Sequence, residues 1–248
     1  MVRDEDGWSP VAAEWAARWG AFADPARAVL LEVTATGPGT RLLDVGCGSG
    51  ELLRAADDLG AAVAGCDPSP AMLALATAAA PRADLRLAGA EELPWPSGAF
   101  DVVTAVNALH LADDESAALA ELRRVLAPGG AIALAGWAEA SANELDVVER
   151  AVAAADGEPL PPDPATRAPG GFEAALRAAG CTGITSGVVE APWTAEDADA
   201  LVAGVLLGDD LGVLAELGPV VVDAAQRFRT PDGRYVLHNR LRWAVGRT

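Results

Sequence analysis

The run Leu42-Leu43-Asp44-Val45-Gly46-Cys47-Gly48-Ser49-Gly50 constrains this chain more than any other segment. Residues 42–45 read as a buried strand, the alternate glycines as the loop it enters, and residues 51–59 as a helix starting just beyond. Glycines at alternate positions free the backbone for positive-φ turns and leave no side chain to block a ligand. The helix start adds unpaired N–H groups and the positive end of a dipole. Such a turn suits a nucleoside-bearing ligand. A phosphate P-loop requires Gly-x-x-x-x-Gly-Lys-Ser/Thr, and there is no lysine here. A dinucleotide fingerprint requires Gly-x-Gly-x-x-Gly, and Glu51 stands where its last glycine belongs.

The pattern repeats downstream. Residues 61–66 read as a second short buried strand that Asp67 ends, and Pro68-Ser69-Pro70 opens a helix containing Met72. An acid at a strand tip can accept both hydrogen bonds of a ribose diol, or it can cap the next helix. Residues 83–88 read as a third strand and 100–107 as a fourth, with Asn107-Ala108-Leu109-His110 at its carboxyl end. A helix ending in residues 121–126 is stopped by Pro128-Gly129-Gly130, and residues 131–135 read as strand five. This alternation argues a parallel α/β sheet with ligands at the carboxyl ends of the strands. Gly46, Asp67, Ala90 and Asn107 all fall at such ends, so four separate segments converge on one cleft.

Asp44-x-Gly46-x-Gly48-x-Gly50 resembles motif I of the class I S-adenosylmethionine (SAM)-dependent methyltransferases. Asp67, the segment Gly89-Ala90-Glu91-Glu92-Leu93-Pro94-Trp95, and Leu126-x-Pro128-Gly129-Gly130 follow in the family's order. The resemblance is close over residues 42–137 and looser through Gly180 and the terminal strands. It implies a Rossmann-like, doubly wound sheet of about seven mostly parallel strands with helical lid inserts. It implies SAM as cofactor and S-adenosylhomocysteine as product. The cofactor-binding residues it implies are Asp44, Gly46, Cys47, Gly48, Gly50, Asp67, Pro68, Met72, Ala90, Glu91 and Asn107. One departure stands out: Gly89 occupies the position of the family's adenine-binding Asp, which leaves adenine to backbone groups near Ala90 and to Glu91. His110 falls beside the sulfonium position that the resemblance implies, either as general base or as a packing group. His238 reads as structural, and Asp113 and Asp114 as caps of the following helix.

The expected organisation is one domain, 1–248, with a helical lid over 1–36, a cofactor-binding core over 37–137, and inserts over 138–169 and 194–230. Trp15 and Trp19 are i, i+4 neighbours on an amphipathic helix that either packs on the sheet or covers the cofactor. Residues 141–155 read as helical and 158–169 as a proline-rich loop. Residues 194–230 read as two or three helices broken at Gly208 and at Gly218-Pro219, and Pro231-Asp232-Gly233 turns into the last strands, ending near 240–245. Trp95, Trp137 and Trp193 belong either to a pocket or to the core.

Charge and composition exclude other classes. Lys plus Arg is 18 against 36 for Asp plus Glu, a net charge of −18, which phosphate backbones repel. No nucleic acid and no membrane are expected as partners. The acidic start Met1 to Asp6 lacks an apolar signal region, and no run of about 18 apolar residues exists. Cys47, Cys66 and Cys181 form no paired framework, which suits reduced thiols in a cytoplasmic protein. No metal-ligand constellation and no Gly-x-Ser-x-Gly elbow is visible. The expected activity is methyl transfer to an oxygen or nitrogen of a small metabolite or natural-product intermediate, by a monomer or homodimer. The first alternative keeps the SAM site in a non-methylating role; the second, a nicotinamide-dependent oxidoreductase, conflicts with the glycine spacing.

Overall fold

The computed structural model describes residues 7–248, so the acidic start at 1–6 lies outside the described residues. In chain order the elements are α1 (Ala12–Trp19), α2 (Asp24–Val33), β1 (Arg41–Val45), α3 (Glu51–Asp58), β2 (Ala62–Asp67), α4 (Pro70–Ala79), β3 (Asp84–Leu87), β4 (Phe100–Val106) and α5 (Glu115–Val125). They continue with β5 (Leu126–Trp137), α6 (Leu145–Asp156), α7 (Gly171–Ala178), β6 (Thr182–Glu190), β7 (Trp193–Ala195), α8 (Ala198–Val205), α9 (Leu211–Ala225), β8 (Tyr235–Leu237) and β9 (Arg240–Arg247).

Seven strands form one sheet in the order β3-β2-β1-β4-β5-β9-β6. β1 to β5 pair in parallel, and β9 inserts antiparallel to both β5 and β6. The chain winds outward from β1 to β3, then returns to place β4 on the other side of β1. That reversal opens a crevice at the carboxyl ends of β1 and β4, the expected place for a ligand in a doubly wound sheet. Leu42, Leu43 and Val45 are buried, as a central parallel strand covered on both faces requires. Leu43 packs with Leu119 and Leu122 of α5, while Leu42 packs with Leu31 of α2 and Leu52 and Leu53 of α3.

The caps follow local chemistry. The Ser69 Oγ accepts from the Met72 N–H at 3.3 Å and starts α4. The Asp114 Oδ1 accepts from Ser116 and Ala117 N–H groups and starts α5. Asp113 is not part of that cap; its own N–H donates to the Glu91 Oε1.

Two expectations are corrected. Pro128-Gly129-Gly130 does not separate α5 from the strand: Leu126 already pairs with Phe100, and residues 127–130 form a bulge before Ala131 pairs with Val102. Gly130 fits there because a Cβ would stand 2.7 Å from the Asp101 carbonyl oxygen. Gly218-Pro219 does not break the helix either, since α9 runs from Leu211 through Ala225. Leu217, Gly218, Val221 and Ala225 are its buried residues, and Gly218 lets Val202 of α8 approach to 3.3 Å of the position a Cβ would take. This packing outweighs the one backbone bond that Pro219 removes. The two-stranded sheet of β7 and β8, with Trp193 opposite Leu237, was not foreseen. Among the described residues no helix is long and apolar enough to cross a membrane.

Candidate active site

The glycine loop is held by backbone bonds. The N–H groups of Gly46 and Cys47 both donate to the Cys66 carbonyl at 2.9 Å, stitching the end of β1 to the end of β2. Gly46, Gly48 and Gly50 all have positive φ, at 70°, 52° and 91°. Space matters as much as φ: a Cβ on Gly46 would stand 2.5 Å from the Ala108 Cβ, and one on Gly50 would stand 2.8 Å from the Ala76 Cα. Cys47 is buried, with its sulfur beside Gly65 of β2. Burial pushes its thiol up, and burial also pushes the Cys66 thiol up to about 12. All three cysteines are free and buried, as expected.

Two buried carboxylates stand behind and beside this loop. The Thr104 hydroxyl donates to the Asp44 Oδ1 at 2.7 Å. Burial pushes the Asp44 carboxyl up to about 7, opposed by the Thr104 hydrogen bond and by Arg27. Asp67 accepts at both oxygens, from the Gly48 N–H at 3.0 Å and the Ser69 N–H at 2.9 Å. It therefore clamps the loop to β2, while Ser69 caps α4. Each Asp67 oxygen keeps a second lone pair. Burial raises Asp67 above the usual carboxyl value, and its two backbone hydrogen bonds oppose that shift.

Asn107 follows β4 with a φ of 52°, unusual for a residue with a side chain. Its N–H donates to the Ala135 carbonyl at 2.8 Å, while its Oδ1 is buried without a partner. His110 follows on a short 3-10 turn, Leu109–Leu111, and is half-buried. Burial, with the nearby Arg167 adding to it, holds the imidazole below its usual value. Arg167 itself is engaged, donating to the Ala138 carbonyl, Asp146 and Asp163.

The structure thus gathers Asp44, Gly46, Cys47, Gly48, Gly50, Asp67 and Asn107 at adjoining strand ends. Met72 is buried in α4 and Pro68 is exposed at its approach. Ala90 is half-buried beyond β3, and Glu91 spends one oxygen on the Asp113 N–H at 2.8 Å. His238 lies apart from this group; its N–H donates to Glu144. Trp95 and Trp193 are core residues: the Trp95 indole donates to Asp84 and that of Trp193 to the Arg18 carbonyl. Trp137 stacks on Phe22 with ring centroids 4.6 Å apart.

Residues the sequence reading passed over complete the loop's surroundings. Arg27 of α2 is buried, donates to the Gly20 carbonyl at 2.6 Å, and stands 3.6 Å from the Glu51 Oε2. The Ser49 hydroxyl donates to the other Glu51 oxygen at 2.5 Å. The only hint was an arginine on an otherwise apolar stretch of α2. Trp15 approaches Gly48, its ring 3.7 Å from where a Cβ would be, while Trp19 stacks flat on Trp193 with centroids 4.4 Å apart. The two tryptophans therefore tie one helix to the glycine loop and to the core at once.

Asp44, Glu51 and Asp67 surround the loop, with Glu51 facing the Arg27 guanidinium, and the buried Oδ1 of Asn107 is an acceptor without a donor. Among the described residues no group of three or more His, Cys, Asp or Glu could hold a metal ion.

Parts of this chain are similar to known proteins. The family model described as a methyltransferase domain matches residues 43–134. Malonyl-[acyl-carrier protein] O-methyltransferase of Serratia marcescens is 36% identical over 116 residues, covering 47% of this chain and 46% of the relative. The 27-O-demethylrifamycin SV methyltransferase of Amycolatopsis mediterranei is 40% identical over 103 residues, covering 39% and 38%. The matched stretch is thus less than half the length of either relative. A putative methyltransferase structure from Bacillus halodurans superposes with a TM-score of 0.62 at 18% identity, covering 89% of this chain and 97% of that one.

Proposed function

We propose that the protein, whose residues 43–134 match a methyltransferase domain, transfers the methyl group of SAM to an oxygen or nitrogen of a small metabolite or natural-product intermediate. The observation that carries this reading is the clamp between β1 and β2, in which Asp67 accepts from the Gly48 and Ser69 N–H groups and keeps one lone pair on each oxygen. In this reading the remaining Asp67 lone pairs take the ribose diol, and the bare backbone of Gly46 to Gly50 admits the cofactor chain. The orphaned Asn107 Oδ1 accepts from its ammonium group. The positive-φ turn at Asn107 is consistent with a ligand contact that repays local strain. Ala90 and Glu91 border the adenine, and Trp15 belongs to a lid formed by the first two helices.

SAM supplies an electrophilic methyl on a sulfonium; the protein supplies alignment and an environment from which water is displaced. His110 takes the proton of the nucleophile. Its depressed basicity keeps the imidazole neutral and ready to accept at neutral pH. The acidic surroundings favour the cationic cofactor over its neutral-sulfur product, S-adenosylhomocysteine.

Calorimetric titration with SAM and S-adenosylhomocysteine tests this reading. Micromolar binding by the wild type, weakened about a hundredfold in Asp67→Ala, is the expected result. A folded wild type that binds neither ligand overturns it.

A further inference from the structure

A second cleft stands beyond the candidate active site on the same edge of the sheet. Its volume is about 790 Å³, and it opens between the loop after β5, α6, the end of α9 and the start of β9. Arg150, Arg227 and Arg240 line it, with Glu144 and Glu190 as its acidic residues. In a chain with net charge −18 such a local excess of arginine is unusual.

The acids do not neutralise the arginines. The Glu144 Oε2 accepts from the His238 N–H at 2.6 Å and serves the loop. Glu190 meets Arg240 only at 3.4 Å, with both side chains more than half exposed, so water screens the pair. Arg150 and Arg227 have no ion-pair partner among the described residues. The Arg227 guanidinium lies 4.9 Å from the Phe228 ring centroid, a placement that orients the planar group.

The floor is built rather than incidental. Asn143 and Asn239 are buried, and each bonds backbone groups on both sides of the rim. Asn143 donates to the Ala138 and Glu139 carbonyls and accepts from the Arg240 N–H. Asn239 accepts from the Leu145 N–H and donates to the Leu237 carbonyl. The arginines therefore project from a fixed frame, which lowers the ordering cost of binding.

We propose that this cleft binds the carboxylate or phosphate end of an elongated small molecule. Arginine forks match both groups, and the repulsive field elsewhere on the molecule leaves this cleft as the place for an anion. Resting on the methyltransferase reading, that molecule is the acceptor. The start of β9 stands two strands from the end of β4, a separation of about 10 Å at ordinary strand spacing. An acceptor anchored here carries its anionic group roughly 10 Å from the atom that is methylated.

Two-dimensional NMR of backbone amides and arginine Nε–H groups, in phosphate-free low-salt buffer, tests the cleft directly. Inorganic phosphate and glutarate are titrated separately, and the one saturating at lower concentration identifies the preferred group. Saturable shifts confined to the cleft are expected, weakened about tenfold in Arg150→Gln/Arg227→Gln and unchanged in Arg54→Gln. Glu190→Gln, which frees Arg240, is expected to bind about twofold tighter. Shifts that spread over the surface without saturating, or a double variant that binds like wild type, overturn the proposal. S-adenosylhomocysteine titrated into the same samples separates the two readings. Anion binding without nucleoside binding removes the methyltransferase reading and leaves the cleft. Nucleoside binding without anion binding does the reverse.

Discussion

The two ends of the sheet's carboxyl edge are built on opposite principles. Over β1 and β2 the site is backbone: a positive-φ loop, N–H groups spent on a neighbouring strand, and acids buried behind them. Over β5 and β9 it is side chains: exposed arginines standing on a frame fixed by two buried asparagines. At the first end Gly46 and Gly50 leave no room for a Cβ. The second can lose its charged groups and keep its shape. The proposed roles divide the same way, with a cofactor at the first end and a variable partner at the second.

Gly46→Ala is the severest way to probe that division. The new Cβ would stand 2.5 Å from the Ala108 Cβ at a φ of 70°, so overpacking and a left-handed backbone combine. The expected cost is about 4 kcal/mol, with loss of SAM binding. Chemical denaturation followed by calorimetry measures both. A variant as stable as wild type would mean that the loop is as tolerant as the arginine cleft.

Asp44 offers a pH test of the same end. Its folded-state value of about 7 lies above its ordinary 3.8, so the native state holds the proton more tightly than the unfolded chain. Its contribution is complete below about pH 4 and is lost as pH rises through about 7. Burial shifts Asp67 in the same direction and adds to the loss. Asp44→Asn is expected to remove about 4 kcal/mol of this pH dependence and to be relatively more stable at pH 8. Thermal melts of both proteins from pH 4 to pH 8 check it; parallel curves would show that burial alone does not set the behaviour of this end.

His110 stands between the two ends, and its removal tests chemistry rather than fold. His110→Gln is expected to lower kcat about a hundredfold with SAM affinity unchanged. The acid limb of the wild-type rate profile is expected to lie below the ordinary imidazole value of 6.5, because the charged form is disfavoured by burial and by Arg167. An unchanged kcat would assign His110 to packing.

The same contrast explains what could be read in the sequence. The glycine loop, Asp67 and the order of strands were legible because each is a local pattern: a strand, a turn that needs glycine, a polar tip. Arg27 was not legible, since it reaches Glu51 only once α2 lies on α3. Pro219 misled for the opposite reason. A local breaker was overruled by contacts with α8 that no neighbouring residue announces. The arginine cleft draws on residues near 143, 190, 227 and 240, brought together only when β9 inserts beside β5. Spaced that widely, the arginines read as scattered surface charge.

The smallest expected effect is therefore the most discriminating. Arg150→Gln/Arg227→Gln removes two exposed arginines that make no ion pair among the described residues. If the cleft's frame is held by Asn143 and Asn239 alone, stability should change by less than about 0.5 kcal/mol. Thermal melts of this variant beside Gly46→Ala measure the two ends of the edge on one scale. A loss approaching that of Gly46→Ala would mean that the arginines hold the loop after β5 in place, and the contrast between a structural end and a reading end would fail. A near-neutral result leaves those charges without a structural task, so their convergence on one cleft must be explained by what the cleft binds.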